Sequence, residues 1–390
     1  MFTEHYERIE AEVRKAFLGQ DLILSGVLVA MLARGHVLIE GVPGVGKTLL
    51  VRVLGRVLGS HFRRIQFTPD LMPSDVTGST TYNARADSFE FKHGPVFTHI
   101  LLADEVNRAP AKTQSSMLEA MQERSVTIDG TTHPLPNPFF VLATQNPIES
   151  AGTYALPEAQ LDRFLFKINI DHPPPDVEAA LLRNVRDGFD AADLEAIALQ
   201  QIVSTDTLIA MQNYAQTIHV DDKIIDYITT LVGHTRRHRS IQIGASPRAA
   251  IALLQTARVE AAIQGRNFVT PDDVKIHGPN VLRHRLILQP DAEIEGVTTD
   301  EVIASVLMET PVPGMGSTSG GAEPRAPGRR SSIPPPQRTS PVSPEIERVR
   351  PSAPPPTAPA RSASMPEGSG PSRPASLAGF DDPERSGGQS

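Results

Sequence analysis

The sequence predicts an α/β core built on a parallel sheet of five strands, followed by an α-helical domain and a disordered, proline-rich tail. Three observations predict this. Short apolar runs alternate with helical patterns over residues 1–172, helical patterns alone follow, and composition changes sharply near Pro311. The runs are "HVLIEG" (36–41), "FRRIQFT" (62–68), "HILLADE" (99–105), "FFVLATQN" (139–146) and "FLFKINI" (164–170), each bounded by turn or polar residues. Continuous apolar character over so few residues fits strands buried on both faces, with helices packed on each side.

Between the strands, "KTLLVRVLGRVLG" and "AKTQSSMLEAMQE" have helical spacing. After "DHPPPDVEAA" the strands stop. "DDKIIDYITTLVGHTRRH" sets Ile224, Ile225, Ile228, Leu231 and Val232 on one helical stripe, "SPRAAIALLQTARVEAAI" opens on a Ser-Pro helix start, and Pro271 with Asp272 starts another helix. The divisions expected are a core at 1–172, a linker with first helices at 173–200, a helical domain at 201–310 and a tail at 311–390. The tail holds about half of the 35 prolines and few large apolar residues. Such a segment cannot bury enough surface to offset the entropy of ordering, so a solvated tail is expected, with docking to an aromatic-lined groove as the alternative.

Bulk composition narrows the function classes. A formal net charge of -8 argues mildly against nucleic acid as the main partner. With no cysteine, disulfides, thiolate metal sites and a cysteine nucleophile are excluded. The N-terminus lacks a signal-peptide core, and "LILSGVLVAMLA" (22–33) is shorter than a membrane span, so a cytoplasmic location is expected.

The most informative string is "GVPGVGKTLL" (41–50). Gly41, Gly46, Lys47 and Thr48 fit G-x-x-x-x-G-K-[ST], with an additional Gly44. A chance glycine turn would explain the string alone, but the preceding strand and following helix are the context a phosphate-binding loop requires. Glycines let successive backbone N–H groups point at phosphate oxygens at a helix N-terminus. Nucleotide binding is assigned to Gly41, Pro43, Gly44, Val45, Gly46, Lys47, Thr48 and Leu49. Lys47 supplies charge to the β and γ phosphates, and the Thr48 hydroxyl ligates Mg²⁺.

"ILLADE" ends a strand on Asp104 and Glu105, at the sheet edge where the loop also lies. Asp104 is expected to hold Mg²⁺ and Glu105 to take a proton from the attacking water. Asn146, closing "FFVLATQN", could orient that water, although Asn before Pro is also an ordinary turn. No guanine-reading N-K-x-D string occurs, so ATP is the expected nucleotide.

In order along the chain stand "GVPGVGKT", "LMPSDVTGS", "FKHGPVFTHILLADEVNRAPAKTQSSMLEAMQE", "ATQNPIESAGTYALPEAQLDRF", "GASPRAA" and "VTPDDVK…VLRHRL". With these strings, over about residues 3–309, the sequence resembles the MoxR family of AAA+ ATPases. The resemblance implies an AAA+ P-loop core with a helical lid. It implies that Arg163 in "LDRF" is an arginine finger acting on a neighbouring subunit's nucleotide, and that Arg248 in "GASPRA" is the second sensor. A finger acting in trans implies a homo-oligomer, usually a hexameric ring, with little activity in the monomer.

Two further segments read as hairpins: 78–95, with its turn near Ala84 to Asp87, and 125–138, with Asp129-Gly130. Neither is basic and neither has an aromatic tip, which weakens the DNA-motor and processive-unfoldase readings. The leading expectation is an ATP-driven remodeller that matures client proteins, including metal-cofactor insertion, with a separate partner carrying a von Willebrand factor A domain. The alternatives are a magnesium-chelatase-like motor subunit and a nucleotide-gated, non-enzymatic scaffold.

Overall fold

The computed structural model describes residues 1–41, 46–146, 154–170, 172–190 and 197–313, with Asp193 and Glu195. All belong to the first of the chain's two units, Met1–Ser319. Apart from 311–313, the predicted tail lies outside them.

Helix α1 (Phe2–Arg14) buries Phe2, Tyr6, Ile9 and Val13, an i, i+4, i+7, i+11 stripe. Helix α2 (Asp21–Leu32) is buried on nearly all sides, which accounts for the apolar run at 22–33. Among the described residues, no helix is long and apolar enough to cross a membrane. Strand β1 (Val37–Gly41) leads to α3 (Lys47–Val57), then β2 (Phe62–Gln66) and the short α4 (Pro73–Thr77). A hairpin of β3 (Gly78–Asn83) and β4 (Ser88–His93) precedes β5 (Ile100–Asp104) and α5 (Ala111–Glu123). A second hairpin, β6 (Ser125–Ile128) with β7 (Thr131–Pro134), precedes β8 (Phe140–Gln145). The short α6 (Glu158–Leu161) and β9 (Phe166–Ile170) complete the core.

Five strands form one sheet in the order β2-β5-β8-β1-β9, and every pairing is parallel. All five expected strands are present, with their C-terminal ends along one edge, but β2 at the sheet's edge is mostly exposed rather than buried on both faces.

Both expected hairpins form. They dock on one another through stacked rings, Phe91 of β4 on His133 of β7 at 4.2 Å. The tip of the first hairpin is non-aromatic, as expected, but just below it the register pairs Tyr82 with Phe89. Their ring centroids are 5.4 Å apart, and the side chains are 55% and 76% exposed. The absence of an aromatic tip in the string thus concealed an exposed aromatic pair on the face of the hairpin.

Beyond the sheet come α7 (Pro175–Arg186), α8 (Thr205–Thr217), α9 (Asp222–Thr235), α10 (Pro247–Ile263), α11 (Pro271–Ile276), α12 (Gly278–Leu282), α13 (Pro290–Ile294) and α14 (Thr299–Glu309). Side-chain caps start three of the longer ones: Ser204 for α8, Asp221 for α9 and Ser246 for α10. Strands do not stop entirely after the core. Strand β10 (Ile241–Ile243) pairs antiparallel with β11 (Ile287–Leu288), a ladder too short to leave a periodic signal.

The helical domain is fastened to the sheet by "VLRHRL". Arg285, 3% exposed, donates to Asp162 Oδ1 at 2.6 Å and to the Phe164 and Leu165 carbonyls at 2.6 and 3.1 Å. His284 bonds the Phe164 carbonyl, and Arg283 donates to the Lys167 carbonyl.

His36 ties β1 to its neighbours. Its Nδ1 accepts from the Val141 N–H at 3.0 Å, so the proton sits on Nε2, which donates to the Met121 carbonyl at 3.2 Å. Burial pushes its pKa down to about 4. The unfolded chain takes up a proton below its ordinary value of about 6.5. The stabilisation is therefore complete above about pH 6.5 and is lost as pH falls through about 4. The expected outcome is that wild-type protein loses about 2 kcal/mol between pH 7.5 and pH 5 through this group. Denaturant titrations at the two pH values should show His36→Asn with a pH dependence flatter by about that amount.

Candidate functional site

Two clusters of polar side chains occupy opposite edges of the sheet. The first gathers where β1, β5 and β8 end. Gly41 closes β1 so tightly against β9 that an added Cβ would stand 2.3 Å from the Ile170 carbonyl oxygen. Gly46 precedes α3 at φ 78°, a left-handed conformation that glycine accepts without strain. Pro43, Gly44 and Val45, also expected to bind nucleotide, lie outside the described residues. Lys47 and Thr48 form the first turn of α3, both half-buried, and Leu49 follows, packed against the core. Lys47 Nζ donates to the Gly41 carbonyl at 3.2 Å. Burial lowers the Lys47 pKa from its ordinary value, while the Asp104 and Glu105 carboxylates pull it back up.

Asp104 is the last residue of β5. Its Oδ1 accepts from the Thr144 hydroxyl at 2.6 Å, and its Oδ2 from Arg64 Nη2 of β2 at 2.7 Å. Glu105 follows at φ 58°, an uncommon conformation for a residue with a side chain. Its N–H is held by the same Thr144 oxygen at 2.8 Å. Glu105 Oε2 receives Gln66 Nε2 at 2.7 Å and Arg108 Nε at 2.9 Å. Asn146 follows the end of β8, half-buried, with its carbonyl accepting from Asn107 Nδ2 at 3.3 Å.

The reading from sequence alone missed Thr144, Gln66, Arg64 and Arg108. Thr144 leaves one signal, a polar residue close to the end of an otherwise apolar strand, and Gln66, in the arginine-bearing strand β2, leaves none. Their partners become visible only once β5 is known to lie between β2 and β8.

Hard oxygen donors at Asp104 and Thr48 suit Mg²⁺. Among the described residues, no group of three His, Cys, Asp or Glu side chains could hold a metal ion alone.

The second cluster lies at the other edge, where β1 and β9 begin. Arg163 and Arg248 line one cavity there together with Gly35, His36 and Leu165. Arg163 does not pair with its neighbour Asp162. That carboxylate goes to Arg285, to the Ser246 hydroxyl at 3.1 Å and, more loosely, to Arg248 at 3.9 Å. A strand rises about 3.3 Å per residue, so the five residues of β1 hold the two edges roughly 17 Å apart. Within one chain, Lys47, Asp104, Glu105 and Asn146 share one edge, and Arg163 and Arg248 do not reach it.

A parallel sheet in this order, with a glycine-rich loop and an acidic strand end at one edge and a helical domain behind, defines an AAA+ nucleotide-binding protein. The family model for the "ATPase family associated with various cellular activities (AAA)" matches residues 36–166, and that for the AAA lid domain matches 233–306. The Bacillus subtilis protein YeaC is 45% identical over 301 residues, 77% of this chain and 92% of its own. The Mycobacterium tuberculosis protein named Chaperone MoxR1 is 44% identical over 316 residues, 79% of this chain and 82% of its own. A Cytophaga hutchinsonii crystal structure, described as a candidate ATPase, superposes with a TM-score of 0.74 at 41% identity, covering 80% of this chain and 96% of that one. The chain belongs to the MoxR family of AAA+ ATPases.

Thr144→Val keeps the shape of the side chain but leaves the Glu105 N–H without its acceptor and Asp104 Oδ1 without a donor. Buried polar groups stripped of partners cost about 1–3 kcal/mol. Chemical denaturation without nucleotide should show a loss of that size.

Proposed function

We propose that this chain binds ATP with Mg²⁺ and hydrolyses it at a site completed by a second copy, and that it uses the turnover to remodel client proteins. The observation that carries the proposal is the separation of the two clusters. Acids and lysine stand at one sheet edge and Arg163 and Arg248 at the other, so a head-to-tail neighbour would bring the missing guanidiniums to the phosphates. Heterologous contacts of that kind close into rings, and six is the number the family resemblance implies.

In this reading Lys47 holds the β and γ phosphates, and Thr48 and Asp104 hold Mg²⁺, which neutralises phosphate charge when bound. Glu105 takes the proton of the attacking water, and Asn146 orients that water. Arg163 and Arg248 of the neighbour stabilise charge that develops on the γ-phosphoryl group. The client role is supported by the name of the Mycobacterium tuberculosis relative, a chaperone, and by the exposed Tyr82–Phe89 pair, an apolar grip for a polypeptide. Metal-cofactor insertion with a separate von Willebrand factor A partner is the narrower form of this reading, and it rests on the family resemblance.

Lys47→Ala should abolish ATP binding measured by calorimetry. Glu105→Gln should bind ATP and stabilise the oligomer without turnover. Arg163→Ala should lower turnover by about three orders of magnitude while each subunit still binds nucleotide. In mixtures of Arg163→Ala with Glu105→Gln, ATPase activity should partly return at mixed interfaces. Brisk turnover by a demonstrated monomer would defeat the shared site.

A further inference from the structure

The cavity at the N-terminal edge of the sheet holds more positive charge than Arg163 and Arg248 provide. Five arginines, Arg34, Arg124, Arg163, Arg248 and Arg285, and one acid, Asp162, line this cavity of about 240 Å³. That carboxylate is already committed. Its ion pair with Arg285 is closed on the guanidinium side as well, where the other N–H groups end on backbone carbonyls. Arg248 meets Asp162 only at 3.9 Å with its side chain half exposed. Arg163 Nε is shut off from solvent and has no hydrogen-bond partner among the described residues. The excess charge is therefore not neutralised within the cavity.

Arg124 is one of three members of this group, with Arg34 and Arg285, that the reaction as described does not use. It caps α5 at φ 51°, and Arg34 ends the turn after α2 at φ 59°. A left-handed position is the usual place for glycine or asparagine, so the turn alone does not call for arginine at either. Arg124 Nη2 donates to the Arg34 carbonyl at 3.3 Å, which fixes the guanidinium on the cavity wall. The Arg34 guanidinium is bonded to Asn213 of α8. Burial, and then the charge of Arg34, lower the Arg124 pKa from its ordinary value, a sign that repulsion here is unrelieved. Like charges fixed in a partly enclosed site favour an anion, and a planar guanidinium suits phosphate oxygens.

Resting on the shared site proposed above, we propose that Arg124 is a third cation offered to the triphosphate bound by the neighbouring copy, gripping phosphate oxygens beside Arg163 and Arg248. A purely structural Arg124 would serve only its own chain, as a helix cap and a tie to the Arg34 carbonyl.

Two measurements separate these roles. Lys47→Ala protein, whose own phosphate loop is disabled, is titrated calorimetrically with inorganic tripolyphosphate at low salt. Binding is expected, weakened at least tenfold by adding Arg124→Gln and largely retained with Arg124→Lys. Absence of binding, or an unchanged Kd with Arg124→Gln, overturns the proposal. In the full-length oligomer, Arg124→Gln should lower kcat about tenfold or more without altering nucleotide affinity per subunit. Mixing it with Glu105→Gln should restore activity, because the Glu105→Gln copy supplies an intact Arg124 to a neighbour with an intact base. Recovery with Arg163→Ala but not with Arg124→Gln would place Arg124 within its own chain, ending this proposal and leaving the shared site standing. Recovery with neither would end both.

Discussion

Everything at the candidate site follows from the uniform direction of five short strands. In a parallel sheet, residues that close the strands gather at one edge and residues that precede them at the other. Here the first edge receives Lys47, Asp104, Glu105 and Asn146, and the second receives Arg34, Arg124, Arg163 and Arg248. The second edge carries an excess of positive charge, which penalises contact between two such edges through like-charge repulsion.

The second edge would not hold its arrangement without the Arg285–Asp162 pair. Buried ion pairs contribute little net stability against an apolar alternative, but losing one partner costs about 3–5 kcal/mol. The pair acts here as a locating pin. Arg285 comes from the helical domain, Asp162 immediately precedes Arg163, and Ser246 and Arg248 at the start of α10 meet the same carboxylate. One acid thus sets the position of two arginines that are distant in sequence. It also explains why "LDRF", "GASPRA" and "VLRHRL" belong together: they form one joint.

Much of this was legible in the sequence, and what was hidden shares a cause. The five strands, both hairpins and the phosphate loop depend on local pattern, and their strings carry it. Thr144, Gln66 and Arg64 act across strands that adjoin only through the sheet order β2-β5-β8, which no local pattern encodes. The left-handed turn at Glu105 read simply as the end of a strand, because glutamate gives no warning of positive φ. Tyr82 and Phe89 stand seven residues apart in the chain and become one exposed pair only through the hairpin register. The commitment of Asp162 to Arg285 spans 123 positions, too far for any spacing rule to suggest.

The second hairpin sits at a mechanical junction. It begins directly after Arg124, which caps α5 at the arginine-rich edge, and the Leu135 N–H returns to the Arg124 carbonyl at 2.9 Å. From the hairpin the chain enters β8, whose far end carries Thr144 and Asn146 beside Asp104 and Glu105. A displacement of Arg124 by a neighbour's nucleotide and a displacement of Asn146 by the chain's own would therefore act on the same two-stranded element from its two sides. The stacked contact of Phe91 on His133 joins the second hairpin to the first, which bears Tyr82 and Phe89. Packed elements of this kind shift as units rather than deform. The fold thus joins the two edges of the proposed site to the first hairpin through the contacts of the second.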